Sequence, residues 1–279
     1  MKHVEFSINV HSTNIYGQYF QPETVKAVVV LVHGMGEHSS RYVNYVIPYY
    51  NKNNIAVLTY DQFGHGKTEG KKGYNPGFES VLDCVTEMLK KAKDLFGDKP
   101  TFLYGHSMGG NVVINYVLRR PNTLKGIVVT SPFLKLAFTP PKWKLSVGKM
   151  LLKIAPSLTM GNELDATFIS RDKNAVEAYK NDPLVHDKIS PNYSVVFIET
   201  GKWAMQNANK LKIPMLLMHG TGDKITSHKA SVAFAKSNPK NVTLQLFENA
   251  YHELHNEINK DEVLESMLTW VNTQLIKSE

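Results

Sequence analysis

The spacing of apolar and polar residues changes several times along the chain, and each change marks an element. Residues 4–10 and 15–20 alternate between the two kinds, and Ser12-Thr13-Asn14 joins them, which predicts an antiparallel hairpin. Ala27–Val32 then reads AVVVLV, the continuous β-branched run of a strand buried on both faces. Runs of the same kind follow at 55–60, 101–104, 126–131 and 215–219, and a more polar strand at 242–247 closes the series. Between them apolar residues recur every three or four positions, predicting helices over 42–52, 78–96, 111–120, 229–236 and 262–275. Buried strands alternating with helices predict an α/β fold with a mainly parallel sheet covered on both faces. In such sheets ligand-binding groups gather beyond the carboxyl ends of the strands.

One region breaks the alternation. From 135 to 200 there is no clean buried strand. The stretch follows Pro132, carries Thr139-Pro140-Pro141, an amphipathic piece at 147–154 and an irregular one at Asn181-Asp182-Pro183. It reads as a helical insertion over the strand ends, a cap that divides the core into 1–134 and 201–279. Its apolar residues, Phe133, Leu151 and Ile154 among them, are expected mostly to form the core of the cap, the rest to line a channel.

Composition narrows the picture. A chain of 279 residues with 42% hydrophobic content suits one α/β domain with an insertion. No apolar run approaches the roughly 18 residues that span a bilayer. The start, 1–10, is polar and alternating, so no secretory leader is expected. A lone cysteine, Cys84, sits on a predicted helix beside Leu82 and Val85 and reads as a small core residue, which favours a cytoplasmic setting. The net charge of +7 is spread along the chain in pairs such as Lys71-Lys72 and Lys90-Lys91. A nucleic-acid binder would concentrate it in a stripe with stacking aromatics, so nucleic acid is not an expected partner. Transient contact with an anionic membrane surface is compatible with the charge.

The chemistry centres on Gly105-His106-Ser107-Met108-Gly109. A G-x-S-x-G string between a strand and a helix puts its serine on a tight turn, with the hydroxyl exposed and the glycines allowing close packing. A serine hydroxyl needs a base, and the base needs an orienting acid, in the chain order serine, acid, histidine for this strand–turn–helix arrangement. Asp223, after the run 215–219 and Gly220-Thr221-Gly222, and His252, after 242–247, stand in loops at strand ends and suit those roles. His219 reads as structural. His186 and His228 lack the position, and Asp165, Asp182 and Asp187 fall in the insertion. His252-Glu253-Leu254-His255 is one residue too short for the H-E-x-x-H zinc pattern, so no metal is expected. Two backbone N–H groups should receive the charge of an acyl-transfer oxyanion. The amide after the nucleophile, Met108, supplies one; the glycine-flanked Met35 in His33-Gly34-Met35-Gly36 supplies the other.

Taken together, HGMGEHSSRY (33–42), DQFGHGKTEG (61–70), GHSMGG (105–110), HGTGDKIT around Asp223 and AYHELH around His252 resemble the monoacylglycerol lipase family of α/β-hydrolases over nearly the whole chain. The resemblance implies an eight-stranded α/β-hydrolase core with a mobile cap. It also implies a cofactor-free serine hydrolase that cleaves monoacylglycerols to fatty acid and glycerol. It places Glu37, Arg41 and His255 at a polar pocket near the alcohol leaving group, although a Glu37–Arg41 salt bridge bracing the oxyanion loop fits the first two equally well. Lysophospholipase or general carboxylesterase activity on the same triad, or a ligand sensor that has lost the chemistry, are the alternatives. A dehalogenase would need a carboxylate in place of Ser107.

Overall fold

A computed structural model describes residues 1–276. The strands are β1 (Lys2–Val10), β2 (Thr13–Gln21), β3 (Ala27–Val32), β4 (Ile55–Tyr60), β5 (Thr101–His106), β6 (Gly126–Thr130), β7 (Met160–Gly161), β8 (Lys188–Ile189), β9 (Met215–Gly220) and β10 (Val242–Phe247). The helices are α1 (Val46–Lys52), α2 (Phe78–Phe96), α3 (Met108–Arg119), α4 (Lys142–Ile154), α5 (Lys173–Asn181), α6 (Pro191–Gln206), α7 (His228–Ser237) and α8 (Lys260–Ile276). Eight strands form one sheet in the order β1-β2-β4-β3-β5-β6-β9-β10. The β1–β2 hairpin adds to the β4 edge through an antiparallel pairing, and every other neighbour pair is parallel, so β2 alone runs against the rest. This is the α/β-hydrolase fold.

The strands that read as uninterrupted apolar runs are the ones buried on both faces: β3, β4, β6 and β9 have no exposed residue. One face of the sheet packs under α2 and α3, with Val28, Val30, Leu103 and Val113 in one cluster; the other packs under α1 and α8, with Val29, Leu31, Phe102 and Trp270 in a second. Cys84 is buried and free on α2. Helix α1 is shorter than its pattern predicts. A 3-10 turn at Ser39–Tyr42, which buries Ser39 and Tyr42, ends where the helix was expected to begin, and residues 43–45 form a turn before α1.

The segment between β6 and β9 contains α4, α5, the small β7–β8 pair and α6. The expected border at 200 falls inside α6, which packs on α3 and buries Tyr193, Phe197 and Ala204. Helix α4 departs from the expectation of a cap core. It has no buried residue, and Trp143 (64% exposed) and Ile154 (70%) face solvent. The helix packs mainly against α6, so only one side of it is covered.

Candidate active site

Strand β5 delivers Ser107 to the end of the sheet, and α3 begins at the next residue. The backbone of Ser107 lies at φ 53°, ψ −114°, a sparsely populated conformation for a residue with a side chain, worth about 1–3 kcal/mol of local strain. Its surroundings hold it there. The Ser107 N–H donates to Thr130 O (2.9 Å), and the Asn111 and Phe133 N–H groups donate to Ser107 O (3.1 and 2.9 Å). Glycines are required on either side by close approach. A Cβ at Gly109 would run into the carbonyl of Val32, and one at Gly105 into the carbonyl of Gly109.

Three residues far apart in sequence meet at this turn. His252 Nε2 lies 2.8 Å from Ser107 Oγ, and His252 Nδ1 lies 2.7 Å from Asp223 Oδ2. Ser107, Asp223 and His252 are all buried. The loops that bring them together are fixed by their own bonds. Asp223 Oδ1 accepts from the N–H groups of Ile225 and Thr226 (2.7 and 3.0 Å), closing the turn after β9. Ser131 Oγ donates to the carbonyl of His252 (2.7 Å) and pins the histidine backbone to the end of β6.

This bonding sets the charges. Burial alone would raise the Asp223 carboxyl, but the imidazoles of His252 and His219 beside it hold it well below the ordinary carboxylate range. Burial disfavours charge on His252, yet Asp223 outweighs it and lifts the imidazole above its ordinary value. The pair is therefore a carboxylate beside a basic imidazole whose remaining nitrogen faces a hydroxyl. Such an arrangement can take a proton from Ser107 and return it to a leaving group.

The Met108 N–H belongs to the first turn of α3, where no intrahelical acceptor exists and the helix dipole favours negative charge. Met35 lies in the loop after β3, beside Gly34, where a Cβ would stand 3.3 Å from Ser107 Cβ. Neither the Met35 nor the Met108 N–H has an acceptor among the described residues.

Glu37 and Arg41 form a buried network with a third residue, Glu253. Arg41 binds both carboxylate oxygens of Glu253 and donates to Glu37 Oε2 (3.0 Å). Glu37 Oε1 accepts from Gly34 N–H and from the Tyr42 hydroxyl (2.8 Å). The ring of Tyr179 lies against the guanidinium at 4.7 Å. His255 lies apart from these bonds. It is 1% exposed, stacks on Tyr42 at 4.6 Å, and has no hydrogen-bond partner at either ring nitrogen. Burial holds its pKa down at about 4, so it is neutral.

Sequence reasoning passed over several neighbours. His219 donates through Nε2 to Asp223 Oδ2 (3.1 Å), with Nδ1 against Ser231 Oγ (2.8 Å). Thr226 Oγ1 lies 2.9 Å from Asp223 Oδ2; the D-x-x-T spacing that closes this turn was its available signal. Glu253, buried beside Ala250, Leu254 and His255, had no such signal, since its partner Arg41 lies 212 positions away. Asp182 and His186 are not at the triad. They tie the insertion to the oxyanion loop, His186 N–H donating to Gly36 O (2.9 Å) and Asp182 pairing with His38 (2.8 Å). Asp165 caps a short turn, accepting from the Thr167 N–H (2.9 Å), and makes no bond to the triad.

The profile of the hydrolase family described as Serine aminopeptidase, S33, matches residues 23–259. A monoacylglycerol lipase from Mycolicibacterium smegmatis is 30% identical over 95% of this chain and 95% of its own length. The chain belongs to the monoacylglycerol lipase family of α/β-hydrolases. The crystal structure of the Paleococcus ferrophilus monoacylglycerol lipase superposes with a TM-score of 0.86, at 33% identity, over 93% of this chain and 99% of that one. An uncharacterized abhydrolase domain-containing protein of Dictyostelium discoideum is 38% identical over 89% of this chain, although the match spans only 26% of that larger protein. Membership in the lipase family makes this protein a carboxylic ester hydrolase.

Proposed function

We propose that this monoacylglycerol lipase-family member cleaves monoacylglycerols to fatty acid and glycerol through an acyl-enzyme on Ser107. The observation that carries the reading is the unbroken chain from Ser107 Oγ through both nitrogens of His252 to Asp223 Oδ2, at 2.8 and 2.7 Å. Ser107 Oγ attacks the ester carbonyl carbon while His252 Nε2 takes the hydroxyl proton, and Asp223 steadies the imidazolium. The carbonyl oxygen becomes an oxyanion facing the N–H groups of Met35 and Met108. Collapse of the intermediate breaks the bond to the alcohol, which leaves with the proton from His252. Water then attacks the acyl carbon while giving a proton to His252; collapse breaks the bond to Ser107 Oγ, which takes that proton back from His252 as the acid is released. Neither a metal nor an organic cofactor enters these steps. The free ring nitrogens of His255, which feels the charge of Arg41 and stacks on the Tyr42 that holds Glu37, suit the polar glycerol end together with those two residues.

In the same proposal residues 135–200 act as a cap on a core of 1–134 and 201–279, and the enzyme works in the cytoplasm, touching membranes peripherally. Helix α4 supports the contact: Trp143, Met150 and Ile154 are exposed among Lys142, Lys144, Lys149 and Lys153, a pairing that suits an anionic lipid surface. No described helix is long and apolar enough to cross a membrane.

The test is turnover of 1-monoacylglycerols, lysophospholipids and p-nitrophenyl esters by the parent and by Ser107→Ala, with fluorophosphonate labelling of both. Long-chain monoacylglycerol should be the best substrate, and S107A should lose turnover and label. Faster cleavage of short soluble esters would favour a general carboxylesterase, preference for lysophospholipids a lysophospholipase, and a folded but unlabelled parent a ligand sensor. Trp143→Ser with Ile154→Ser should weaken flotation with anionic vesicles and leave p-nitrophenyl butyrate turnover at the parental level; unchanged flotation would reject the membrane contact.

A further inference from the structure

The β3 and β10 strands are four places apart in the sheet order, with β5, β6 and β9 between them. The loop after β3 carries Gly34 and Met35; the loop after β10 carries His252. No ladder of backbone bonds sets one loop against the other directly, yet an acyl-transfer site needs its base and its oxyanion donors at one fixed separation. A side-chain network spans that gap. It runs from Glu253, covalently next to His252, to Arg41 through two parallel bonds, then to Glu37 (3.0 Å), and on to the backbone N–H of Gly34.

We propose that Glu253 is a positioning residue: through Arg41 and Glu37 it locks the loop of the general base to the loop of the oxyanion donor. The inference rests on the serine-hydrolase reading above and adds Glu253, which extends the Glu37–Arg41 brace from the oxyanion loop to the loop of the base.

Each link is fixed at both ends. Glu253 N–H donates to Ile169 O (2.7 Å), and Asn256 Nδ2 donates to the same carboxylate oxygen that faces Arg41 Nη2 (2.8 Å). Tyr42 holds Glu37 from the opposite side (2.8 Å). The Arg41, Glu37 and Glu253 side chains are only 7%, 3% and 4% exposed. A buried ion network contributes little net stability compared with apolar packing, because its attraction is offset by desolvation. What the planar guanidinium fork does provide is direction, since it accepts carboxylates only in register. A positioning role uses that property, and a purely stabilising role does not.

The network also carries charge. Two carboxylates face one guanidinium near the imidazole that becomes positive in the transition state. The charged and titratable groups around His252 are Asp223 and His219 from β9 and its loop, His106 from β5 (ring centroids 4.9 Å apart), Glu253 and His255 from its own loop, and Glu37 and Arg41 from the loop after β3. Asp223, Glu253 and Glu37 favour the charged imidazole, against burial, which disfavours it. Neutralising Glu253 removes one favourable charge and leaves Arg41 less screened, so the imidazole becomes less basic.

The experiment compares the parent with Glu253→Gln on a 1-monoacylglycerol and on p-nitrophenyl butyrate, which has no glycerol end, with kcat, KM and the pH profile of kcat/KM for each. Glu253→Gln should lower kcat about tenfold on both esters, leave both KM values within about twofold, and move the acid limb of kcat/KM down by roughly half a pH unit. Parental kcat and an unmoved acid limb in a folded variant would overturn the proposal. A loss confined to KM for the glyceride would overturn it too, because Glu253 would then serve the alcohol end. If thermal melting shows Glu253→Gln unfolded at the assay temperature, Arg41→Lys repeats the test, keeping the charge and losing the fork; the same drop in kcat on both esters is expected. A parent that turns over neither ester and takes no fluorophosphonate would instead remove the hydrolase reading itself.

Discussion

Replacing Asp223 by asparagine isolates the part of the site that depends on a single proton. The side chain keeps its shape. Its oxygen must stay where the N–H groups of Ile225 and Thr226 donate, at 2.7 and 3.0 Å, since an NH2 group there would face two donors. The new NH2 then takes the place of Oδ2, facing His252 Nδ1 and His219 Nε2. It can only donate, so His252 Nδ1 must accept, and the one proton of the neutral ring moves to Nε2. That nitrogen is the one 2.8 Å from Ser107 Oγ. The ring now offers the hydroxyl a proton where it should offer a lone pair, and no carboxylate remains to steady an imidazolium. An exchange of this kind in a triad costs about 10⁴ in kcat, or about 5.4 kcal/mol of barrier. The assay is single-turnover release of p-nitrophenol between pH 7 and 9, with the rate of fluorophosphonate labelling alongside and a thermal melt to verify folding. Both rates should fall together. A folded Asp223→Asn variant within tenfold of the parent would mean that His252 does not owe its tautomer to Asp223, and the catalytic argument would fail with it.

Other consequences follow from the packing and charges. Gly109→Ala pushes a methyl group into the Val32 carbonyl, a backbone atom that cannot swing away; it should cost about 3 kcal/mol and lower Tm by roughly 6–12 °C in a calorimetric scan. An unchanged Tm would show that the elbow relaxes freely. Burial pushes the Glu253 carboxyl up, but Arg41 outweighs it and holds the group down at about 2. A depressed folded value means the stabilisation is present above the unfolded carboxylate value of about 4.3 and is lost as pH falls towards 2. Urea denaturation across pH 2.5–5 should therefore show a shallower acid decline in Glu253→Gln than in the parent, and parallel curves would contradict the assignment. His252 has the opposite sign. Its raised value adds stability that is present below about pH 6.5 and fades as pH rises through the folded value, so His252→Gln should lose more stability at pH 6 than at pH 9.

The legibility of this chain follows the range of the interactions. Runs such as AVVVLV at 27–32 announce strands buried on both faces because burial acts on every residue alike, and β3 lies where the pattern puts it. The order β1-β2-β4-β3-β5-β6-β9-β10 is another matter, since only pairing across the sheet decides it. The elbow was legible because Gly105 and Gly109 record a steric demand at fixed spacing around Ser107. Glu253 was not, because its meaning depends on Arg41, 212 positions away, arriving with its fork in the same plane. His219 reads as structural, and its bond to Asp223 was hidden for a related reason. A histidine ending a buried strand looks structural until Asp223 folds back over it through a turn closed by Thr226. Helix α4 failed differently. Its amphipathic pattern promises burial, but periodicity says only that one face is apolar and cannot say what covers it. In the protein that face is mostly open to solvent, with lysines beside it, and this is why its apolar residues bear on what the molecule touches more than on how it folds.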